Sequence, residues 1–399
     1  MDTKLLGGIL LIMGTAIGGG MLALPIATSQ AGFVHSSFLL FGCWAVMTLS
    51  AFLILEVNLW LPAESNMISM AKATIGGIGQ IVAWLSTLLL FYSLLAAYMA
   101  GGGDFLRNLI QAIGIDIPEK AAVLLFAGLL ATVVYFGIRS VDYVNRGLMF
   151  TKFGAYILLV ICILPAVSIT KLAGGEFRYL TSSVTVAITS FGFANIIPSL
   201  RAYFHDDVVK LRKAILIGSM IPLVCYIAWD LVIMGVIPRD GNNGLIAILN
   251  SGHSTSDFVD SLISYIGLNV VTVLTRIFTS VCLATSFLGV SLGLSDFLAD
   301  GLQVAKKGKG NIIVCTATFL PPLIITLLDP GIFISALSYA GIYCVVLLVL
   351  MPALMAWWGR YRKQLAQPGS YRLKGGKPVL IGLMIVAVLM IAQGLYETL

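Results

Sequence analysis

Two short runs can bind a ligand with the main chain itself: Gly14-Thr15-Ala16-Ile17-Gly18-Gly19-Gly20, followed by Pro25, and Ser190-Phe191-Gly192-Phe193-Ala194-Asn195, followed by Pro198. Both interrupt long apolar stretches that otherwise read as helix. In a helix interior glycine costs about 1 kcal/mol relative to alanine and proline about 3 kcal/mol. In a bilayer each freed backbone N–H or C=O also lacks water. Such a break can serve a purpose. The N–H groups that open a half-helix present a positive dipole end to an anion, and exposed carbonyls at the opposing end receive a cation or an ammonium. A zwitterion such as an amino acid satisfies both.

On this reading the substrate carboxylate meets the N–H groups around Ile17, Gly18, Gly19 and Gly20, where no Cβ obstructs it, with the Thr15 hydroxyl assisting. The ammonium meets carbonyls near Ala16 and around Ser190 to Gly192. Phe191 and Phe193 flank the second break and either stack on an aromatic substrate or pack the helix. Asn195 reaches a polar group such as a phenol or holds the broken backbone. Tyr92 and Ser93 sit near mid-depth in LLLFYSLLAAYM (88–99), and Tyr339 and Tyr343 lie one turn apart on one face. For these four, site lining and ordinary packing both remain open.

The elements that must position these residues are transmembrane helices. Of 399 residues, 59% are hydrophobic and 11% charged, and mean hydropathy is +1.00; a soluble domain carries about 25% charged residues. Eleven stretches are long enough to cross the hydrocarbon: 5–29, 34–60, 78–107, 119–138, 145–169, 184–203, 210–237, 269–298, 311–328, 331–357 and 378–396. The gap 238–268 holds FVDSLISYIG (258–267), with the spacing of an interfacial helix. The first span runs past Pro25 without a cleavage signature, so it reads as retained. Eighteen of the 24 Lys and Arg, among them Lys4, Arg139, Arg146 and Lys306-Lys307, fall on the side of the N-terminus, against five opposite. That asymmetry places the N-terminus in the cytoplasm and the C-terminus outside. It also accounts for the net charge of +6 without nucleic acid. The six cysteines all fall inside spans, which argues against a disulfide framework.

Spans one and six carry the two breaks, and five spans separate them, so the second unit starts from the opposite side of the membrane. This is the pattern of an inverted-repeat secondary transporter with a midplane site. The expected organisation is one transporter domain over 1–399: a first repeat over 1–169, a second over 184–357, and an eleventh helix at 378–396.

The motifs GTAIGGGMLALP (14–25), TSFGFANIIPSL (189–200), LATSFLGVSLGLSDFLADG (283–301), TFLPPL (318–323), SYAGI (338–342) and GGKP (375–378) resemble the hydroxy/aromatic amino acid permeases of bacteria, the tyrosine-specific and tryptophan permeases above all. The resemblance covers essentially the whole chain. It implies an all-α polytopic membrane protein with the leucine-transporter-type 5+5 fold, discontinuous helices one and six, an eleventh helix, a bacterial inner-membrane location and proton-driven import. One departure is that the family places an aromatic followed by His-Gly after Gly192, where this chain has Phe193-Ala194-Asn195.

Ionisable groups in spans are functional candidates. In the implied fold Glu56 passes beside the broken sixth helix, where a carboxylate can tie down freed N–H groups. The resemblance implies a role for Lys152, two turns into span five: in several proton-coupled relatives with this fold a lysine on the fifth helix stands where sodium-coupled members hold their ion. Its ammonium can replace a cation against span-one carbonyls and release a proton during the cycle; a snorkelling interfacial lysine is the alternative. Thr285-Ser286 supplies the hydroxyl pair that sodium sites in this fold use, so sodium stays open beside the proton as coupling ion. Asp230 and Arg276 either pair across an outer vestibule or sit solvated near the interface.

The expected function is secondary active import of an aromatic amino acid, tyrosine first, with tryptophan or phenylalanine as alternatives. No cofactor, metal, catalytic group or obligate protein partner is expected; the partners are the amino acid and membrane lipid. A passive channel would need a continuous polar path, and the spans hold isolated charges. A membrane enzyme would need a nucleophile–base set, yet His35, His205 and His253 lie at or beyond span ends. There is no phosphate-binding loop for ATP-driven transport.

Overall fold

The computed structural model describes residues 3–63, 65–136, 138–366 and 371–398, without the side chains of residues 138–140, 142, 143, 146 and 398. Arg139 and Arg146, used above for orientation, therefore lie outside the described side chains. The helices in chain order are α1 (Thr3–Ala16), α2 (Gly19–Ala27), α3 (Gly32–Leu59), α4 (Met67–Thr74), α5 (Gly77–Gln111), α6 (Glu119–Tyr135), α7 (Ile138–Ile163), α8 (Ile169–Leu172) and α9 (Val184–Ser190). They continue with α10 (Ile197–Phe204), α11 (Val208–Met234), α12 (Leu245–Leu249), α13 (Ser254–Ile266), α14 (Asn269–Gly301), α15 (Lys309–Leu328), α16 (Phe333–Val345), α17 (Met351–Tyr361) and α18 (Gly376–Thr398). Among the described residues nine helical stretches have membrane length and apolarity, ten with the bent pair α1 and α2. The remaining expected span is α6, whose 17 residues sit at the short end of what crosses a bilayer.

Both interruptions are present. The axes of α1 and α2 diverge by 52°, with Ile17 and Gly18 between them. The sixth span ends its first half at Ser190, passes through Phe191 and a 3₁₀ turn over Gly192–Ile196, and resumes at α10, where Pro198 sits in the first turn. Proline is tolerated there because an opening turn needs no N–H partner. A third irregularity is a π turn, Val346–Leu350, between α16 and α17; the Ser50 hydroxyl donates to the Leu348 carbonyl inside it.

The helices wrap around the broken pair. α1 packs along α11, α2 against α9, α14 along α7, and α16 against both α5 and α9. One end is sealed by a buried aromatic cluster of Tyr156, Trp229, Phe258 and Phe278. Phe258 comes from α13, the helix expected within 238–268, whose Phe258, Val259 and Leu262 face inward. Asp104 of α5 holds that helix through the Ser256 N–H (2.9 Å) and hydroxyl (2.7 Å). The described cysteines are all unbridged, with Cys43, Cys282 and Cys344 buried.

Candidate functional site

The two breaks meet. A cavity of ≈ 90 Å³ lies between them, walled by Thr15, Ala16, Gly18 and Gly20 from the first and by Ser190, Gly192 and Asn195 from the second. It shares Thr15, Phe91, Tyr98, Asn195, Ser286 and Val290 with a vestibule of ≈ 360 Å³ that runs toward the N-terminal end of α1 past Leu10, Leu11 and Gly14. Thr15 is exposed although it sits at the break. The cavity is thus open on the side of the α1 N-terminus and closed on the other by the aromatic cluster.

Glycine at the first break is required by close approach. A Cβ on Gly18 would overlap Ser286 Oγ, one on Gly19 would lie 2.6 Å from the Tyr98 ring, and one on Gly20 would lie 3.0 Å from Ser190 Oγ. The four expected N–H donors fall into three situations. The Ile17 N–H is bonded to the Met13 carbonyl (2.9 Å), so it belongs to the end of α1 and is not available to a carboxylate. The Gly19 N–H donates to Ser286 Oγ (2.7 Å), which caps α2 from α14. Gly18 and Gly20 remain in the cavity wall.

The carbonyl ends of the two half-helices face each other across one tyrosine. Tyr226 of α11, fully buried, places its hydroxyl 2.7 Å from the Ala16 carbonyl and 2.8 Å from that of Ser190. The neighbouring Ile17 carbonyl accepts from Lys152 Nζ at 2.5 Å. Lys152 is 0% exposed; it does not snorkel to an interface. The Thr285 hydroxyl bonds within its own helix, to the Cys282 carbonyl (3.2 Å). With Ser286 capping α2, the expected hydroxyl pair is engaged in structural bonds.

Several expected site residues point elsewhere. Phe191 and Phe193 are fully buried and absent from the cavity wall; Phe191 packs edge-on against Tyr226. Tyr92 turns away and donates to the Ala317 carbonyl (2.7 Å), and Ser93 shares none of the wall. On α5 the wall is Leu90, Phe91, Leu94 and Tyr98, a face offset from Tyr92 and Ser93. On the tenth span Cys344 and Leu348 reach the cavity, and Tyr339 and Tyr343 do not. Asn195 lines both parts, and its Oδ1 is buried without a partner among the described residues.

Glu56 also differs from expectation. Its carboxylate is gripped by Arg360 through Nε (2.8 Å) and Nη2 (2.5 Å), and Oε2 further accepts the Leu373 N–H (2.7 Å). It therefore ties α3 to α17 and to the chain before α18. The contact with the sixth span falls one turn further along, where Arg201 of α10 donates to the Asn58 backbone carbonyl, to Asn58 Oδ1 (3.3 Å) and to the Leu61 carbonyl (2.9 Å). Asp230 and Arg276 form no ion pair among the described residues: Asp230 accepts from Ser36 (2.5 Å), and the charge facing Arg276 is Asp260.

Comparison with known proteins follows the same lines. Residues 1–393 match the tryptophan/tyrosine permease family. The chain is 34% identical over 393 residues to the tyrosine-specific transport system 2 of Haemophilus influenzae, covering 97% of this chain and 95% of that protein. It is 35% identical over 395 residues to the tryptophan-specific transport protein of Pseudomonas aeruginosa, covering 96% and 93%. The crystal structure of MhsT in complex with L-phenylalanine superposes with a TM-score of 0.65 over 99% of this chain and 98% of that one, at 16% identity, a likeness of fold. The leucine-transporter-type fold expected from the sequence is therefore borne out. With two interrupted spans meeting at a shared cavity and a family match along almost its whole length, this multi-pass membrane protein belongs to the tryptophan/tyrosine permease family.

Proposed function

We propose that this permease imports tyrosine or tryptophan across the bacterial inner membrane by proton-coupled alternating access. The N-terminus is cytoplasmic and the C-terminus periplasmic, and residues 1–169 and 184–357 are the two inverted repeats. The observation that carries the substrate reading is Asn195 Oδ1, an acceptor in the wall of the cavity between the breaks with no partner among the described residues. A phenol O–H or an indole N–H satisfies it, and a phenyl ring leaves it buried and unpaired, a situation that gives a polar site its discrimination. The carboxylate rests on the Gly18 and Gly20 N–H groups, and the ammonium on the Ala16 and Ser190 carbonyls beside the Tyr226 hydroxyl. Tyr98 and Phe91 flank the ring.

Lys152 is the coupling residue in this reading, and its hydrogen bond to the Ile17 carbonyl supports it. An ammonium there neutralises the negative end of α1 without a bound metal ion. When the break rearranges the bond is lost, and the ammonium can pass its proton to water in the open vestibule, leaving a neutral amine. With the vestibule open toward the α1 N-terminus, the structure corresponds to an inward-facing state under this orientation. The test is uptake of labelled tyrosine, tryptophan and phenylalanine into proteoliposomes under an imposed pH gradient and, separately, a sodium gradient. Accumulation of the first two with the pH gradient alone is expected. Accumulation that requires sodium, or that favours phenylalanine, would overturn the assignment.

A further inference from the structure

Asp230 of α11 is fully buried. Its Oδ2 accepts the Ser36 hydroxyl of α3 at 2.5 Å, and its Oδ1 has no partner among the described residues. Thr28, in the turn that closes α2, stands beside the carboxyl group. The Thr28 hydroxyl also donates to the Leu24 carbonyl (2.8 Å), which holds it at the end of α2.

Among the described residues no cation compensates the group. The described titratable and charged side chains on the elements packed against α11 lie or bond elsewhere. On α3, His35 meets the Ala31 carbonyl and Glu56 meets Arg360. On α7, Lys152 meets Ile17 and Tyr156 meets the Cys225 carbonyl. Lys171 of α8 bonds the Val236 carbonyl and Arg201 of α10 meets Asp206. Lys4 lies at the far end of α1, and α2 brings no charge. On α11 itself, Tyr226 is spent on the two break carbonyls.

A carboxylate buried without a cation is untenable as an anion, and it neutralises by taking up a proton. The element that covers it is the half-helix beyond the first break, every residue of which is buried in this state. We propose that Asp230 is a proton-binding site that locks the sealed end: it is protonated while α2 is closed over it and ionised when α2 swings away. The step is a simple transfer. An O–H bond forms at Oδ1 as a hydronium gives up its proton, and reopening returns that proton to water on the same side. Closure of the gate is thereby linked to pH on that side, apart from any proton carried through the protein at Lys152. The inference rests on the alternating-access reading above.

The test is hydrogen–deuterium exchange of the segment 19–36 in the full-length protein, compared between wild type and Asp230→Asn at equal pH so that intrinsic exchange chemistry cancels. Asparagine is a permanent stand-in for the neutral acid. In wild type the open population should rise with pH by up to about tenfold per unit, the slope of a one-proton linkage, and Asp230→Asn should stay protected throughout. A wild-type profile that parallels the variant's would overturn the proposal. Ser36→Ala gives an independent check should the asparagine variant not fold. It removes the hydroxyl that favours the ionised form, so the transition should move to higher pH, and an unmoved transition counts against Asp230. Counterflow of labelled tyrosine and tryptophan in the same preparation separates the two readings. Missing counterflow sinks the substrate assignment, and intact counterflow with a flat exchange profile sinks the lock.

Discussion

Lys152 Nζ lies 2.5 Å from the Ile17 carbonyl, across 135 residues of sequence. The ammonium sits where α1 ends, and Ile17 is the residue at which the first span turns by 52° toward α2. A positive charge at a helix C-terminus is favourable on dipole grounds alone. Here it also satisfies a carbonyl that the break has freed. Lys152→Ala should abolish accumulation driven by a pH gradient while leaving counterflow measurable, because exchange needs the substrate site and not the coupling group. Unchanged accumulation in that variant would remove the lysine from the mechanism.

The Tyr226 hydroxyl joins the two breaks, and it has one hydrogen for two acceptors. Tyr226→Phe keeps the ring, and with it the edge-on contact to Phe191. It leaves the Ala16 and Ser190 carbonyls without their shared donor, at about 1–3 kcal/mol for a buried group left unsatisfied. The expected result is substrate affinity weakened roughly tenfold to a hundredfold, with a melting temperature lowered by the unsatisfied carbonyls but no loss of the fold, since the ring remains packed. Binding of labelled tyrosine to the purified variant measures this; unchanged affinity would mean that the bridge has no part in shaping the site.

The breaks could be read from composition, and so could the fold, because glycine and proline inside an apolar span conflict openly with helix formation. Lys152 was legible for a similar reason: a charge at that depth needs a partner. The lining aromatics were harder to read. Tyr92 and Tyr98 are six residues apart on α5, about a third of a turn from one another around the helix, and in a span that faces lipid on one side and protein on the other both faces are apolar. No periodicity then tells which tyrosine turns inward, and the sequence offers Tyr92 as a candidate where the structure has Tyr98. Tyr226 gave no local signal, because its partners lie 36 and 210 residues away. For Glu56 the sequence points to the freed N–H groups of the sixth span, and the structure places it elsewhere. The partner is Arg360, 304 residues on, which no local pattern announces.

Ser286 and Gly18 make a prediction about space. Ser286 Oγ accepts the Gly19 N–H and occupies the position that a Cβ on Gly18 would enter. Gly18→Val should block transport by closing the cavity between the breaks, and Ser286→Ala added to the milder Gly18→Ala should recover part of the activity by removing the overlapping atom. Ser286→Ala alone loses the cap on α2, worth about 1 kcal/mol. Transport by Gly18→Val at the wild-type rate would exclude the first break from the site.

The Glu56–Arg360 pair bears on stability. Side-chain exposure is 0% and 2%, the geometry is bidentate, and the Leu373 N–H completes the carboxylate's bonding. Removing one partner of such a pair strands the other charge in a low-dielectric interior, at about 3–5 kcal/mol. Glu56→Ala should therefore lower the melting temperature of the purified protein in detergent sharply. Replacing both residues together, as Glu56→Met with Arg360→Met, should recover much of the loss, because the cost lies chiefly in the unpaired charge. Both partners stand away from the cavity, so the double variant should retain tyrosine binding near the wild-type level. If the double replacement proves as unstable as the single one, the pair contributes through shape and the Leu373 contact and not through charge balance.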